Sequence, residues 1–347
     1  MKALVHTAPL KLEYRDVPQP QYGDDDVLVR VKAVAICGSD VHGYTGSTGR
    51  RIPPIIMGHE AGGIVEAIGR NVKNIGLGDR ITFDSTVYCN QCPACRSGRV
   101  NLCTNREVLG VSTPVFHRDG AMAEYVVVPW WITYRLPDSV SFEEAALIEP
   151  ASVGLHAARI TPVEMNDVVA VVGAGQIGLF AMQGVRVTGA GKIVVLDVKE
   201  ERLALARRLG ADVAINPSSG DVTAKMQRIV GRTLGKSGAD AVLEAVGTET
   251  TVTLALGLTK PGGHLTLIGN ITPRIQVSLQ DIVFGELTIR GSCAVAGEYQ
   301  ASLDLLAAGR IQAKPLISRI MPLAEGQQAF DALHRGEPGL MKIVLQP

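Results

Sequence analysis

Neither sign of charge is in surplus in this sequence: 34 Lys and Arg stand against 34 Asp and Glu. Nucleic-acid binders rely on a basic excess, so a polyanion is excluded as the main partner. Long apolar runs are missing too. Nothing approaches the roughly 20 residues that cross a bilayer, so no membrane partner is expected. The opening Met1-Lys2-Ala3-Leu4-Val5-His6 lacks the apolar stretch of a signal peptide, and a cytoplasmic location is expected. Aromatic residues are scarce at 4%, and internal repeats and low-complexity linkers are absent. Six cysteines in 347 residues are too few for a disulfide scaffold.

What is present is more telling. Hydrophobic residues make up 46% of the chain, enough for sizeable cores. At about 150 residues per domain, the length suggests two domains. Gly accounts for 38 residues, about 11% against an average near 7%. Four of the six cysteines fall within positions 89 to 103.

The first 150 residues read as short strands and turns, with Val27–Val34 partly alternating as a half-buried strand does. From about residue 166 the rhythm changes. Strands are expected at 168–172, 192–197, 213–215, 241–246 and 264–269, with helices from Ile177, over 200–209 and near 222–231. Buried, continuously apolar strands alternating with helices predict an α/β domain with a doubly wound parallel sheet. A helical piece at 299–308 and a closing strand at 342–345 are expected to return to the first domain.

Gly173-Ala174-Gly175-Gln176-Ile177-Gly178 fits GxGxxG, follows an apolar strand and opens a helix. The first Gly permits a tight turn, the second lets a pyrophosphate approach the backbone, and the third lets helix and strand pack closely. The helix N-terminus offers N–H groups to phosphates. Asp197, 22 residues beyond Gly175, ends the next strand. It can accept hydrogen bonds from a ribose and repel a 2′-phosphate, so NAD(H) is expected ahead of NADP(H). Helix capping is the alternative role for Asp197.

Cys89-x-x-Cys92-x-x-Cys95 followed by Cys103 puts four thiols on one loop. Four thiolates complete the tetrahedral shell of a structural zinc. Cys37, His59, Glu60 and Glu149 form a second constellation of thiolate, imidazole and carboxylate. Three protein ligands with one open position are the form of a catalytic zinc site.

Taken in order, Cys37-Gly38-Ser39-Asp40, Gly58-His59-Glu60, the four-cysteine lobe, Glu149-Pro150 and Gly173 to Gly178 resemble the zinc-dependent medium-chain dehydrogenases of the alcohol dehydrogenase superfamily, over essentially the whole length. The resemblance implies a GroES-like β-rich catalytic domain over 1–153 and 294–347, with its zinc lobe at about 86–105. It also implies a Rossmann NAD-binding domain over 154–293, with the active site between the two. Two zinc ions per chain and a homodimer or homotetramer are implied as well. Simple alcohol dehydrogenases carry a cysteine where this chain has Glu149. The Glu60 and Glu149 pair instead resembles the polyol branch, which includes sorbitol, butanediol and galactitol-phosphate dehydrogenases. There Glu60 is the third ligand, and Glu149 holds a water or joins the shell transiently.

The expected reaction is oxidation of a secondary alcohol of a polyol to a ketone. A metal ion acts as Lewis acid and the hydride passes to nicotinamide. Ser39 and His42 are expected to carry the released proton to solvent. The substrate is less defined. Arg50 and Arg51, with hydroxyls nearby, suit a phosphate and hence a phosphorylated polyol, and Tyr44, Phe116 and His117 are expected to line the pocket. Cys293 is expected to be a buried structural thiol. The other readings are a threonine or simple secondary alcohol dehydrogenase and a catalytically inactive NAD-sensing protein.

Overall fold

A computed structural model describes residues 1–230 and 238–347, apart from the side chains of 223, 227, 229 and 230. The helix expected near 222–231 is Val222–Val230, and residue 231 lies outside the described residues. The chain forms two compact units: Met1–Glu149 with Val295–Gly309 and Ala313–Pro347, and Pro150–Ala294 with Arg310–Gln312. The first break falls at Glu149 rather than at residue 153, inside the helix Ile148–Ile160.

The first unit is built on the strand Asp26–Ala35, which contains the predicted Val27–Val34. It pairs antiparallel with Glu60–Ile68, Tyr125–Pro129 and Lys342–Gln346. The sheet runs on through Arg80–Phe83 and Thr133–Arg135 on one side and through Ile317–Pro322 on the other. The closing strand therefore does return to the first unit. Beneath the sheet lies a core of Val, Ile, Ala and Leu with Tyr44, Phe83 and Phe330.

The second unit carries a parallel sheet in the order 213–215, 192–196, 168–172, 239–244, 259–267 and 288–291. Its central strands are buried beyond their first residues Val168 and Lys192, as the apolar runs predict. The outermost strand, Thr288–Gly291, was not expected. No helix among the described residues is long and apolar enough to cross a membrane.

Two buried polar groups shape the first core. Tyr44 is expected in the substrate pocket, and the structure corrects this. It ends the helix Gly38–Tyr44, is fully buried and packs on Phe330 with ring centroids 5.2 Å apart. Its hydroxyl lies 2.7 Å from Asp331 Oδ1 and 2.9 Å from the Leu10 carbonyl, and accepts from the Gln327 amide. Tyr44→Phe should lower stability by about 1–2 kcal/mol through the lost hydroxyl, while kcat/KM stays within about twofold. Denaturant titration and steady-state rates check both. Lost turnover at unchanged stability would return Tyr44 to the pocket.

The second group is Asp84, just past the strand Arg80–Phe83 and 1% exposed. Burial pushes its carboxyl up to about 8; the N–H of Thr86 pulls the other way, and Glu149 and Glu298 add to the rise. The folded state thus holds this proton between about pH 4 and 8 while the unfolded chain has lost it. The stability Asp84 contributes is present in acid and lost as pH rises toward 8. Asp84→Asn should accordingly be close to neutral at about pH 4 and stabilising by roughly 1–3 kcal/mol at about pH 9. A melting-temperature difference that does not grow with pH would remove this account.

Candidate active site

The candidate metal-binding constellation grows from the end of the central strand. Ala35 pairs with Glu60, so the chain leaving Ala35 delivers Cys37 beside His59 and Glu60. Cys37 caps the helix Gly38–Tyr44: its Sγ accepts the Ser39 N–H, and Asp40 Oδ2 accepts the Cys37 N–H at 3.3 Å. Gly58 precedes the pair with φ +95°, where a Cβ would stand 2.8 Å from the Met122 side chain. Only glycine fits both the angle and the space.

One ligand atom each from Cys37, His59 and Glu60 falls within 4.8 Å of the others. Glu60 is fully buried, yet only Oε2 is paired, with the Lys342 ammonium; Oε1 has no hydrogen-bond partner. Lys342 also donates to the Ile36 carbonyl at 2.9 Å. His59 Nδ1 faces Asp40 Oδ1 at 3.5 Å. Burial disfavours an imidazolium here, but Asp40 and Cys37 outweigh it and push the His59 pKa well above the usual imidazole value. The local field thus favours a positive charge at this point. An orphaned buried carboxylate oxygen, a thiol and an imidazole in such a field fit a zinc ion.

Glu149 is placed differently from the other three. It is within electrostatic reach of His59 and Glu60, but its Oε1 accepts from Ser85 Oγ at 2.9 Å and it is outside the converging set. Burial raises its pKa, and the charge of His59 opposes that rise. Ser39 and His42 are exposed on the helix Gly38–Tyr44. Arg50 is exposed, and Phe116 is half-buried in the loop joining Val111–Ser112 to His117–Arg118. His117 is exposed and sits 3.3 Å from Asp119.

Arg51 departs from its expected role. Instead of a surface residue open to phosphate, it is 6% exposed and paired with Asp40. Cys293 departs as well: it is exposed, not buried. Asp40 and Lys342 are functional neighbours that the sequence reading did not single out. Asp40 lies inside the quoted Cys-Gly-Ser-Asp motif, at the helix position where an acid closes a capping box. For Lys342 the one signal is a charge opening an otherwise apolar strand.

The four-cysteine loop converges too, with ligand atoms within 4.8 Å and no disulfide joining any of the cysteines. Cys92 and Cys95 sulfurs lie 3.5 Å apart, as do those of Cys89 and Cys103. A zinc tetrahedron with bonds near 2.3 Å has edges of about 3.8 Å, so the sulfurs stand where four ligands would. The Cys95 N–H lowers the Cys92 thiol to about 6 and favours the thiolate.

In the second unit, the turn after Val168–Val172 is shaped for a dinucleotide. Gly173 has φ +98°, and a Cβ on Gly178 would stand 1.9 Å from the Gly173 carbonyl oxygen. Gly175, which caps the helix Gln176–Thr188, has nothing within 4 Å of a Cβ position. That leaves a cradle open to a phosphate, with the buried Gln176 Oε1 unpartnered beside it. Ile177 follows in the first turn of the same helix. Asp197 Oδ2 accepts the Ala174 N–H at 2.8 Å and Oδ1 accepts the Lys199 N–H at 2.9 Å. The acid therefore ties the glycine turn to the next strand. These residues fit a nicotinamide dinucleotide.

Known proteins share the sequence and the fold of this chain. The model of the alcohol dehydrogenase GroES-like domain matches residues 23–138, and that of the zinc-binding dehydrogenases matches 177–308. The chain is 34% identical over 351 residues to sorbitol dehydrogenase of Bacillus subtilis (strain 168), covering 100% of this chain and 97% of that one. It is 37% identical over 324 residues to L-idonate 5-dehydrogenase of Vitis vinifera, covering 91% and 87%. The crystal structure of galactitol-1-phosphate dehydrogenase from Escherichia coli superposes with a TM-score of 0.90 at 29% identity, covering 100% of each chain. The chain belongs to the zinc-dependent medium-chain dehydrogenases, in the polyol dehydrogenase branch.

Proposed function

We propose that the protein reversibly oxidises a secondary alcohol of a sugar alcohol to a ketone, with NAD as hydride acceptor. The observation that carries this reading is the buried cluster of Cys37, His59 and Glu60, with one carboxylate oxygen left without a partner. These three residues would hold a catalytic zinc; Cys89, Cys92, Cys95 and Cys103 would hold a second, structural one. A bound zinc supplies Lewis acidity that favours loss of the hydroxyl proton. A ligand set containing a carboxylate suits oxygen-rich company, which fits a substrate with hydroxyls on neighbouring carbons.

The remaining work falls to the chain's own side chains. Ser39, exposed two residues beyond Cys37, accepts the alcohol proton through its hydroxyl. His42, exposed on the same short helix, releases it to solvent near neutral pH. Glu149 holds a water or a substrate hydroxyl close to His59 and Glu60. Asp197 accepts from the adenosine ribose and repels a 2′-phosphate, which supports NAD over NADP. Arg202, 3.7 Å from Asp197 Oδ2, softens that repulsion without removing it. With Arg51 committed to Asp40, only Arg50 stays open to solvent, and the reading favours an unphosphorylated polyol. The disulfide-free cysteines suit a reducing compartment such as the cytoplasm; native protein recovered with oxidised zinc-lobe thiols would count against it.

A panel of free polyols, phosphorylated polyols, threonine and simple secondary alcohols, each with NAD and with NADP, tests the reading alongside a zinc count. The expected outcome is two zinc ions per chain, NADH formed from a free polyol, and roughly tenfold or greater preference for that class and for NAD. One zinc and no turnover of any alcohol would point instead to a nucleotide-sensing protein.

We also propose a homo-oligomer built through the second unit. All four residues of the edge strand Thr288–Gly291 are exposed, and Phe284 nearby is 80% exposed. An uncovered edge with apolar side chains beside it invites pairing with a second copy. Sedimentation should give a dimer or larger assembly that Ile289→Lys with Phe284→Glu converts to monomer. A monomeric native protein would end this proposal.

A further inference from the structure

We propose that Arg51 is a positioning residue of the catalytic centre: it braces the Asp40 carboxylate that orients His59, and it anchors the Ser39 hydroxyl. The inference rests on the reading that Cys37, His59 and Glu60 hold zinc, and it adds a residue that the reading does not need.

The backbone around Arg51 is fixed first. The Ile52 N–H donates to the Ser112 carbonyl at 3.2 Å, and the Ser112 N–H donates to the Arg50 carbonyl at 3.3 Å. The side chain then turns inward beneath Gly43. A Cβ on Gly43 would lie 2.1 Å from Arg51 Cγ, so the bare backbone there makes room for the arginine stem. At its far end, Nε and Nη2 both donate to Asp40 Oδ1, at 3.2 and 2.8 Å. Nη2 also reaches Ser39 Oγ at 3.4 Å, and Nη1 donates to the Arg50 carbonyl at 3.1 Å.

Asp40 is fully buried and serves two ligands at once. Oδ2 takes the Cys37 N–H, while Oδ1 faces His59 Nδ1 at 3.5 Å, an electrostatic contact just beyond a hydrogen bond. With Nδ1 turned to Asp40, Nε2 is the ring nitrogen left for a metal. A carboxylate that orients a metal-binding imidazole is typically worth 10- to 100-fold in affinity or activity. It can do so only while held in place, and an unpaired carboxylate in a dry interior is not held. Arg51 supplies the hold, with two donors of one rigid fork on a single oxygen. A lysine has the charge but not the fork. Every nitrogen of the guanidinium has a partner within the protein.

The test uses the zinc-loaded enzyme and the variants Arg51→Lys, Arg51→Met, Asp40→Asn and the Arg51→Met/Asp40→Asn double. Zinc release to a chromogenic chelator is followed together with kcat/KM and the KM for NAD. In Arg51→Met one of the two zinc ions should leave roughly 10- to 100-fold faster. The other, in the four-cysteine loop, should leave at the wild-type rate. kcat/KM should fall in step, KM for NAD should not move, and Arg51→Lys should lie between. Because Arg51 acts through Asp40, adding Arg51→Met to Asp40→Asn should change release less than about threefold. If Arg51→Met does not fold, Arg51→Lys and Gly43→Ala, which displaces the arginine without removing charge, decide the matter. Wild-type release and turnover in folded Arg51→Lys and Gly43→Ala would overturn the proposal, as would fully multiplicative effects in the double variant. A wild-type enzyme holding only the four-cysteine zinc would instead defeat the underlying reading of the site.

Discussion

The register of one strand decides where the chemistry can be. Asp26–Ala35 runs between Glu60–Ile68 and Lys342–Gln346, and Ala35 pairs with Glu60 on one side and Val344 on the other. The chain leaving that strand therefore places Cys37 beside a carboxylate whose ammonium partner is 282 residues away in sequence. A slip of one residue would turn Glu60 to the opposite face and break the cluster. Sheet pairing, rather than any local motif, brings thiol, imidazole and carboxylate within reach of one another.

That convergence has an electrostatic cost, because Asp40 and Glu60 are both wholly buried. Each is matched by one buried cation, Arg51 for Asp40 and Lys342 for Glu60. Buried ion pairs are weak sources of stability, since desolvation offsets most of their attraction. Their value here is geometric. Lys342 occupies one oxygen of Glu60 and leaves the other directed at the cluster. Arg51 occupies the oxygen of Asp40 that faces His59. Two cations thus aim two carboxylates, and neither cation belongs to the set of ligand-bearing residues. Asp84 is buried with no such cation paired to it among the described residues, and burial raises its pKa.

How much of this was legible in the sequence depended on the range of the interactions involved. The glycine turn and the four-cysteine loop are local: each is one short segment whose spacing already states its chemistry. Cys37, His59 and Glu60 were legible as residue types, while their convergence rests on strand pairing. Arg51 and Tyr44 were misplaced for a related reason. Both lie in a polar, glycine-rich stretch that reads as a surface loop. Burial of Arg51 follows from Gly43 giving way beneath it, and burial of Tyr44 from Asp331 and Phe330 arriving from the far end of the chain. The edge strand Thr288–Gly291 escaped because Thr-Ile-Arg-Gly has neither alternation nor an apolar run; its place is set by the preceding strand Thr259–Leu267. Cys293, two residues beyond it, is exposed along with that edge.

Asp197 has a structural role that the fold itself sets. Capping and ribose recognition read as alternatives in the sequence, yet the carboxylate already ties the glycine turn to the following loop through Ala174 and Lys199. Each of its oxygens keeps a lone pair after those bonds. The two backbone donors fix where the remaining acceptors point, and they stabilise the carboxylate charge. Replacing this acid would therefore loosen the glycine turn. On the proposed reading, in which the same carboxylate selects NAD, a change of cofactor preference at this position has to be accompanied by a new anchor for the Ala174 N–H.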